Sequence, residues 1–122
     1  MNIGQKLAAS AALVLLLVTS ACGAKMTPAE GVTAMKQTLG ELQKSIDAGD
    51  AAKAKAQANE LHETWEKFED GVKDKSKDVY KQVEDPLGKL ESGTKASSLD
   101  KAVLSQEAKK LADALAAAEA LK

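Results

Sequence analysis

The chain of 122 residues has no arginine, only one cysteine and one histidine, and a single residue each of tryptophan, tyrosine and phenylalanine. Because arginine makes the bidentate contacts to bases and phosphates, its absence argues against a nucleic-acid partner. One cysteine and one histidine are too few for a Cys/His zinc site. The low aromatic content disfavours strands. Since the sequence also lacks a Gly-rich phosphate loop and a recognisable nucleophile–base pattern, we predict that the protein is not an enzyme.

The single cysteine, Cys22, ends a segment that has the features of a secretory signal. Lys6 lies in a short polar start, and residues 7–18 form an apolar stretch that is followed by small residues. A membrane-spanning helix needs about 20 apolar residues, so this stretch is too short for an anchor. The segment resembles the lipobox of bacterial lipoproteins, although Thr19 stands where leucine is usual. An ordinary signal peptide is the alternative. The resemblance implies that residues 1–21 are removed and that Cys22 carries the acyl chains.

This processing divides the chain into a signal peptide over residues 1–21, a lipidated tether over 22–27 and a helical-bundle domain over 28–122. Burial of an acyl chain contributes about 0.8 kcal/mol per CH₂, so several chains hold a protein stably at a membrane. The formal net charge is only −1 and the charges are interleaved. We therefore expect the protein to be held at the membrane by its lipid and not by a basic surface patch. The expected location is the extracytoplasmic side of the cell membrane or the outer membrane.

The domain reads as four amphipathic helices, since it is rich in Ala, Leu, Lys and Glu and its apolar residues recur at spacings of three and four. The predicted boundary residues are Thr27, Pro28 and Gly49 for the first helix, Asp50 for the second, Ser76 for the third, and Ser97 or Ser98 for the fourth. Each helix has one predicted buried stripe. The stripe of the first helix is Val32, Met35, Leu39, Leu42 and Ile46, and that of the second is Ala51, Ala54, Ala58, Leu61, Trp65, Phe68 and Val72. The stripe of the third helix is Val79, Val83, Leu87 and Leu90, and that of the fourth is Leu104, Ala108, Leu111, Leu115 and Ala118, extended at its start by Leu99 and Val103.

Short connections between these helices predict antiparallel neighbours and an all-α, up-down-up-down four-helix bundle. Pro86 lies inside the third helix, where it removes a backbone donor and clashes with the preceding turn. We therefore expect a kink or break near Val83–Asp85. A three-helix bundle with an irregular Pro86 segment is the alternative.

A possible metal site centres on the only histidine. His62 and Glu66 are four residues apart and can meet on one helix face. The helix register places Tyr80, Glu84 and Glu107 near the same level. The predicted ligands are His62, Glu66, Glu69, Glu84 and Met35. Carboxylate and imidazole ligands suit iron, zinc or copper, and a thioether suits Cu(I). The same residues also have an ordinary structural interpretation, with His62 bonded to a carboxylate, Met35 in the core and Glu66 in a surface pair.

The segment from Gly49-Asp50-Ala51 through Leu61-His62 to Trp65-Glu66-Lys67-Phe68-Glu69 is similar to helices of bacterial iron-uptake proteins. Those families are the imelysin and EfeO-like lipoproteins and the extracellular domain of iron permeases. The likeness covers about 20 residues, and the His-x-x-Glu element of those families is not found as such. It implies a helical bundle associated with iron import at the envelope, with His62, Glu66 and Glu69 as candidate ligands.

Three functions are compatible with these observations. The first is a lipid-anchored bundle that binds iron or copper or serves a membrane metal transporter. The second is an envelope adaptor or structural lipoprotein that docks a protein partner. The third is a carrier of haem or another apolar ligand near Trp65 and Met35.

The lipid anchor is tested by Cys22→Ser, which removes the acyl acceptor. We expect the variant to leave the detergent phase in a Triton X-114 partition, whereas Thr19→Leu, which supplies the usual lipobox residue, should stay in that phase. Equal partition of wild type and Cys22→Ser would contradict lipidation at this residue.

Overall fold

The computed structural model describes residues 25–121, and this part of the chain contains helices and no strands. The all-α prediction is therefore confirmed. The signal peptide, Cys22 and the start of the tether lie outside the described residues. The five helices are α1 (Pro28–Ala48), α2 (Ala51–Glu66), α3 (Glu69–Lys75), α4 (Lys77–Thr94) and α5 (Lys101–Glu119).

The predicted caps delimit the first helices. The Thr27 hydroxyl accepts a hydrogen bond of 3.2 Å from the backbone N–H of Glu30. Gly49 ends α1 with a φ of 70°, the left-handed conformation that glycine adopts most easily. Asp50 and Ser76 cap α2 and α4 through their side-chain oxygens. These polar side chains satisfy backbone donors that a helix leaves unpaired at its start.

The second predicted helix is divided in two. The N–H groups of Lys67 and Phe68 donate to carbonyls three residues back, which tightens the last turn of α2. Phe68 then leaves the helical conformation, with a φ of −141° and a ψ of 2°. The short α3 follows, and it keeps Val72 buried. The predicted stripe is therefore largely right, although its first residue, Ala51, is exposed and the helix is interrupted.

Of the kink or break predicted near Val83–Asp85, the break is wrong, because α4 runs without interruption from Lys77 to Thr94 with Pro86 inside it. Proline inside a helix costs about 3 kcal/mol. Burial of Val83, Leu87 and Leu90 against the core offsets that cost. The three-helix alternative required an irregular segment here and is wrong for the same reason.

The start of the last helix also differs from the prediction. Asp100, and neither Ser97 nor Ser98, caps α5, and its carboxylate accepts a hydrogen bond of 3.2 Å from Val103 N–H. A carboxylate at this end also interacts favourably with the helix dipole. Val103 is half exposed and does not extend the buried stripe, whereas Leu99 packs against the core from the preceding loop.

The core lies between four long helices. α1 packs most extensively against α2 and α5, and α4 packs against α5 and α2. Trp65 and Met35 are the largest of the fully buried side chains, and leucines from all four long helices surround them in one apolar cluster. Each buried large side chain contributes about 1.5–3 kcal/mol. In residues 25–121, no helix combines the length and the apolar character needed to cross a membrane.

Two glycines of α1 allow a matched test of this packing. A Cβ at Gly31 would overlap the ring of Phe68, whereas a Cβ at Gly40 would meet nothing. Gly31→Ala should lower the free energy of unfolding by about 1–3 kcal/mol through overpacking. Gly40→Ala should raise it by up to about 1 kcal/mol, since alanine favours helix. Urea denaturation measures both, and a stabilising Gly31→Ala would contradict the Phe68 placement.

Candidate functional site

The only histidine joins two helices. On α2, His62 Nε2 lies 2.8 Å from an Oε1 of Glu66, one turn further along. On the other side of the ring, Nδ1 lies 2.7 Å from Oε1 of Glu91 on α4. Glu91 Oε1 is buried, but the atoms are not aligned for a hydrogen bond. His62 therefore bridges α2 and α4 through one carboxylate on each.

Solvent screens the two contacts of His62 to different extents. The Glu66 side chain is 59% exposed, whereas the Glu91 side chain is 23% exposed and its contacting oxygen is buried. The contact between His62 and Glu91 is therefore the less screened of the two.

Next to this bridge lies an aromatic cluster built on Trp65. The Trp65 ring meets Phe68 edge-on, with centroids 5.1 Å apart, and lies tilted on Tyr80 at 5.8 Å. Its indole N–H donates a hydrogen bond of 3.2 Å to Glu84 Oε1 on α4. A buried indole needs such a partner. Glu84 therefore has a structural role beside Trp65, at the level that the helix register predicted.

The Tyr80 hydroxyl faces the same carboxylate. Its hydrogen-bonding interaction with Glu84, followed by burial and by the negative charges of Glu84, Glu69 and Asp70, raises the pKa of Tyr80 to about 12. The Lys73 ammonium lies 5.2 Å from the ring centroid, within cation–π distance.

Glu69 has several like charges around it. Burial raises its pKa, and the charges of Glu84, Asp70 and Glu66 raise it further, against the opposing effect of His62. A raised carboxyl pKa means that protonated Glu69 suits the fold better than ionised Glu69 does. The resulting stability is present at low pH and is lost as the pH rises through the folded-state pKa.

The structure thus brings four of the five predicted ligands, His62, Glu66, Glu69 and Glu84, into one neighbourhood. Their side chains do not share a common contact. Met35 is fully buried in the apolar core. Glu84 binds the Trp65 N–H, and the two nitrogens of His62 face Glu66 and Glu91 in different directions. In residues 25–121, no three His, Cys, Asp or Glu side chains converge as metal ligands.

Two carboxylates that were not predicted as ligands, Glu91 and Glu107, form contacts with charged side chains. Glu91, which takes the second nitrogen of His62, lies one helical turn beyond the predicted level of residues 83–87. Its position four residues after Leu87 on α4 was the only sequence signal for it. Glu107 contacts Lys89 on α4 and Lys110 on its own helix.

The chain matches no protein-family model, no curated protein and no solved structure. The likeness to iron-uptake proteins stays a prediction.

The single tyrosine gives a direct test of the cluster. Tyr80 in the unfolded chain loses its proton near pH 10, whereas the folded chain holds it to about 12. Stability from this proton is therefore present below pH 10 and is lost as the pH rises toward 12. Glu84→Gln should lower the Tyr80 pKa toward 10, and Glu69→Gln should lower it less. Tyrosinate absorbance measures the pKa, and an unchanged titration in Glu84→Gln would refute the contact.

Proposed function

We propose that this protein is a non-enzymatic, lipid-anchored helical-bundle protein of the cell envelope that docks a protein partner. One observation carries the proposal: four of the five predicted metal ligands are engaged with partners within the fold. Glu84 serves Trp65, Met35 lies in the core, and His62 divides its nitrogens between two helices. What the domain offers outward is a set of polar helix faces held at a membrane.

The four long helices form an up-down-up-down bundle in this proposal, with α3 as a short continuation of the second. Side-chain contacts between neighbouring helices support it, because residue numbers rise along one helix while they fall along the other. The contacts are Lys36–Glu119 and Gln43–Ser105 between α1 and α5, and His62–Glu91 and Trp65–Glu84 between α2 and α4. Parallel helices would reverse this order.

A short bismaleimide tests this order of the helices. Cysteines introduced at Lys36 and Glu119 should be crosslinked, while cysteines at Lys36 and Lys101 should not, because Lys101 contacts the other end of α1 at Asp47. The reverse result would exclude the antiparallel pairing.

Metal binding is the second candidate function. The observation that favours it is the pair of carboxylates within 2.8 Å of the two His62 nitrogens, since imidazole and carboxylate together suit iron or copper. A metal ion would replace a proton at one His62 nitrogen and would also be coordinated by the carboxylate next to that nitrogen. Haem is disfavoured as cargo because Trp65 and Met35 are packed among leucines, without an opening beside them among the described residues.

Thermal unfolding of the full-length protein separates the two candidates. If the protein is a docking protein, adding iron, copper or zinc should not change the melting temperature of wild type, and it should not change that of His62→Ala. A metal carrier should gain several degrees with one metal and lose the gain in His62→Ala, since a ligand of the native state stabilises it. The second outcome would replace the docking proposal with metal handling.

Docking itself is tested by crosslinking in the cell. A photoreactive residue is placed at Gly40 on α1 or at Gly88 on α4, two exposed positions where an added Cβ meets nothing. A partner that docks on one face should give an adduct of one mass from one position only. No adduct from either position, together with a metal-dependent melting shift, would contradict docking.

A further inference from the structure

Glu107 occupies a position where the α5 helix needs an apolar side chain. It lies between Leu104 and Leu111 on the buried stripe, three and four residues from them. Its side chain is only 7% exposed, and Oε2 is buried without a hydrogen-bond partner. A buried carboxylate oxygen without a partner is costly and rare in native proteins. A leucine here would stabilise the bundle more simply.

The same carboxylate lines a surface cavity of about 390 Å³ between α4 and α5. This volume is within the range of small-molecule sites. The acceptors around it are Glu107 at the inner wall and Asp85 and Asp113, which are exposed. Pro86 and Ala114 supply the apolar part of the lining.

Pro86 leaves one backbone carbonyl of α4 without its usual helical donor. Proline has no N–H, so it cannot donate to the carbonyl of Gln82 four residues earlier, as a helical residue normally would. Gln82 lines the same cavity. Two features that weaken the fold, a proline inside a helix and a glutamate on a buried stripe, therefore meet at one place.

Two lysines now occupy the mouth of the cavity. Lys110 Nζ lies 3.3 Å from Glu107 Oε1, and Lys89 Nζ lies 3.9 Å from the same atom. Both lysine side chains are more than half exposed, so they hold these positions weakly. The terminal torsion of a glutamate is soft, so the Glu107 carboxylate can turn toward an incoming group. An incoming ammonium group can take the place of a lysine there and bind Glu107.

We propose that this cavity is a binding site for a small aliphatic diamine. One ammonium group binds the Glu107 carboxylate. The methylene chain lies on Pro86 and Ala114, and the second ammonium group is bound by Asp85 or Asp113 at the rim. The three carboxylates outnumber the two lysines, which favours a cationic guest over an anionic one.

The test is isothermal titration of the full-length protein in detergent with the diamine putrescine. We expect saturable binding of one molecule per chain. Butylamine, which has one ammonium group, should bind at least about tenfold more weakly. Magnesium chloride, added at the same concentration of positive charge, should not compete with putrescine for the site. Absence of saturable putrescine binding, or equal competition by magnesium, would overturn the proposal.

Variants assign the binding to the cavity. Glu107→Gln keeps the shape and removes the charge, and it should abolish binding. Glu91→Gln removes the charge of another carboxylate with a buried, unbonded oxygen, outside the cavity, and should bind like wild type. Lys89→Ala removes a competing ammonium group and should tighten binding severalfold, which a purely structural Glu107 would not cause. Unchanged affinity in both Glu107→Gln and Lys89→Ala would place the diamine elsewhere and refute the site.

Discussion

The burial of Trp65 is the constraint on which most of this structure depends. Its indole ring is fully enclosed, and it holds Phe68 edge-on at the point where α2 gives way to α3. The Phe68 ring in turn fills the space above Gly31, which ties the beginning of α1 to this place. Because the buried indole N–H must have a partner, Glu84 is fixed on α4. One aromatic residue thus sets the positions of four helices.

The electrostatics of the candidate site follow from that packing. Once Glu84 is held at the indole, it lies next to the Tyr80 hydroxyl and raises the pKa of Tyr80. Burial, and after it the charge of Glu84, raises the pKa of Glu69. His62 is the nearby group that opposes this charge, and it takes one carboxylate from each of two helices. The first role of the cluster is therefore structural, because it joins α2 to α4 through charged side chains. A docking function fits a joint of this kind, because it keeps the bundle rigid while the outer faces stay free.

Glu107 and Pro86 form a contrasting case. In the His62 cluster, His62, Glu66 and Glu84 have partners within the fold. By contrast, Glu107 keeps an unbonded oxygen, and Pro86 leaves a carbonyl without its helical donor. Both weaken the bundle locally, and they line the same cavity. Departures from simple packing tend to lie at functional sites. The two regions also lie on different helix pairs, so a ligand at Glu107 and a partner on another face are compatible.

The sequence by itself determined the helical class, the caps at Thr27, Asp50 and Ser76, the turn at Gly49 and nearly all of the core, because these depend on periodicity and on local hydrogen bonds. It also determined that His62, Glu66, Glu69 and Glu84 would be neighbours. Only the tertiary structure decided that the second predicted helix is interrupted before Phe68, that α4 continues through Pro86 and that His62 meets Glu91. These features depend on contacts between helices, where a buried ring or a row of leucines outweighs the local preference of a single residue.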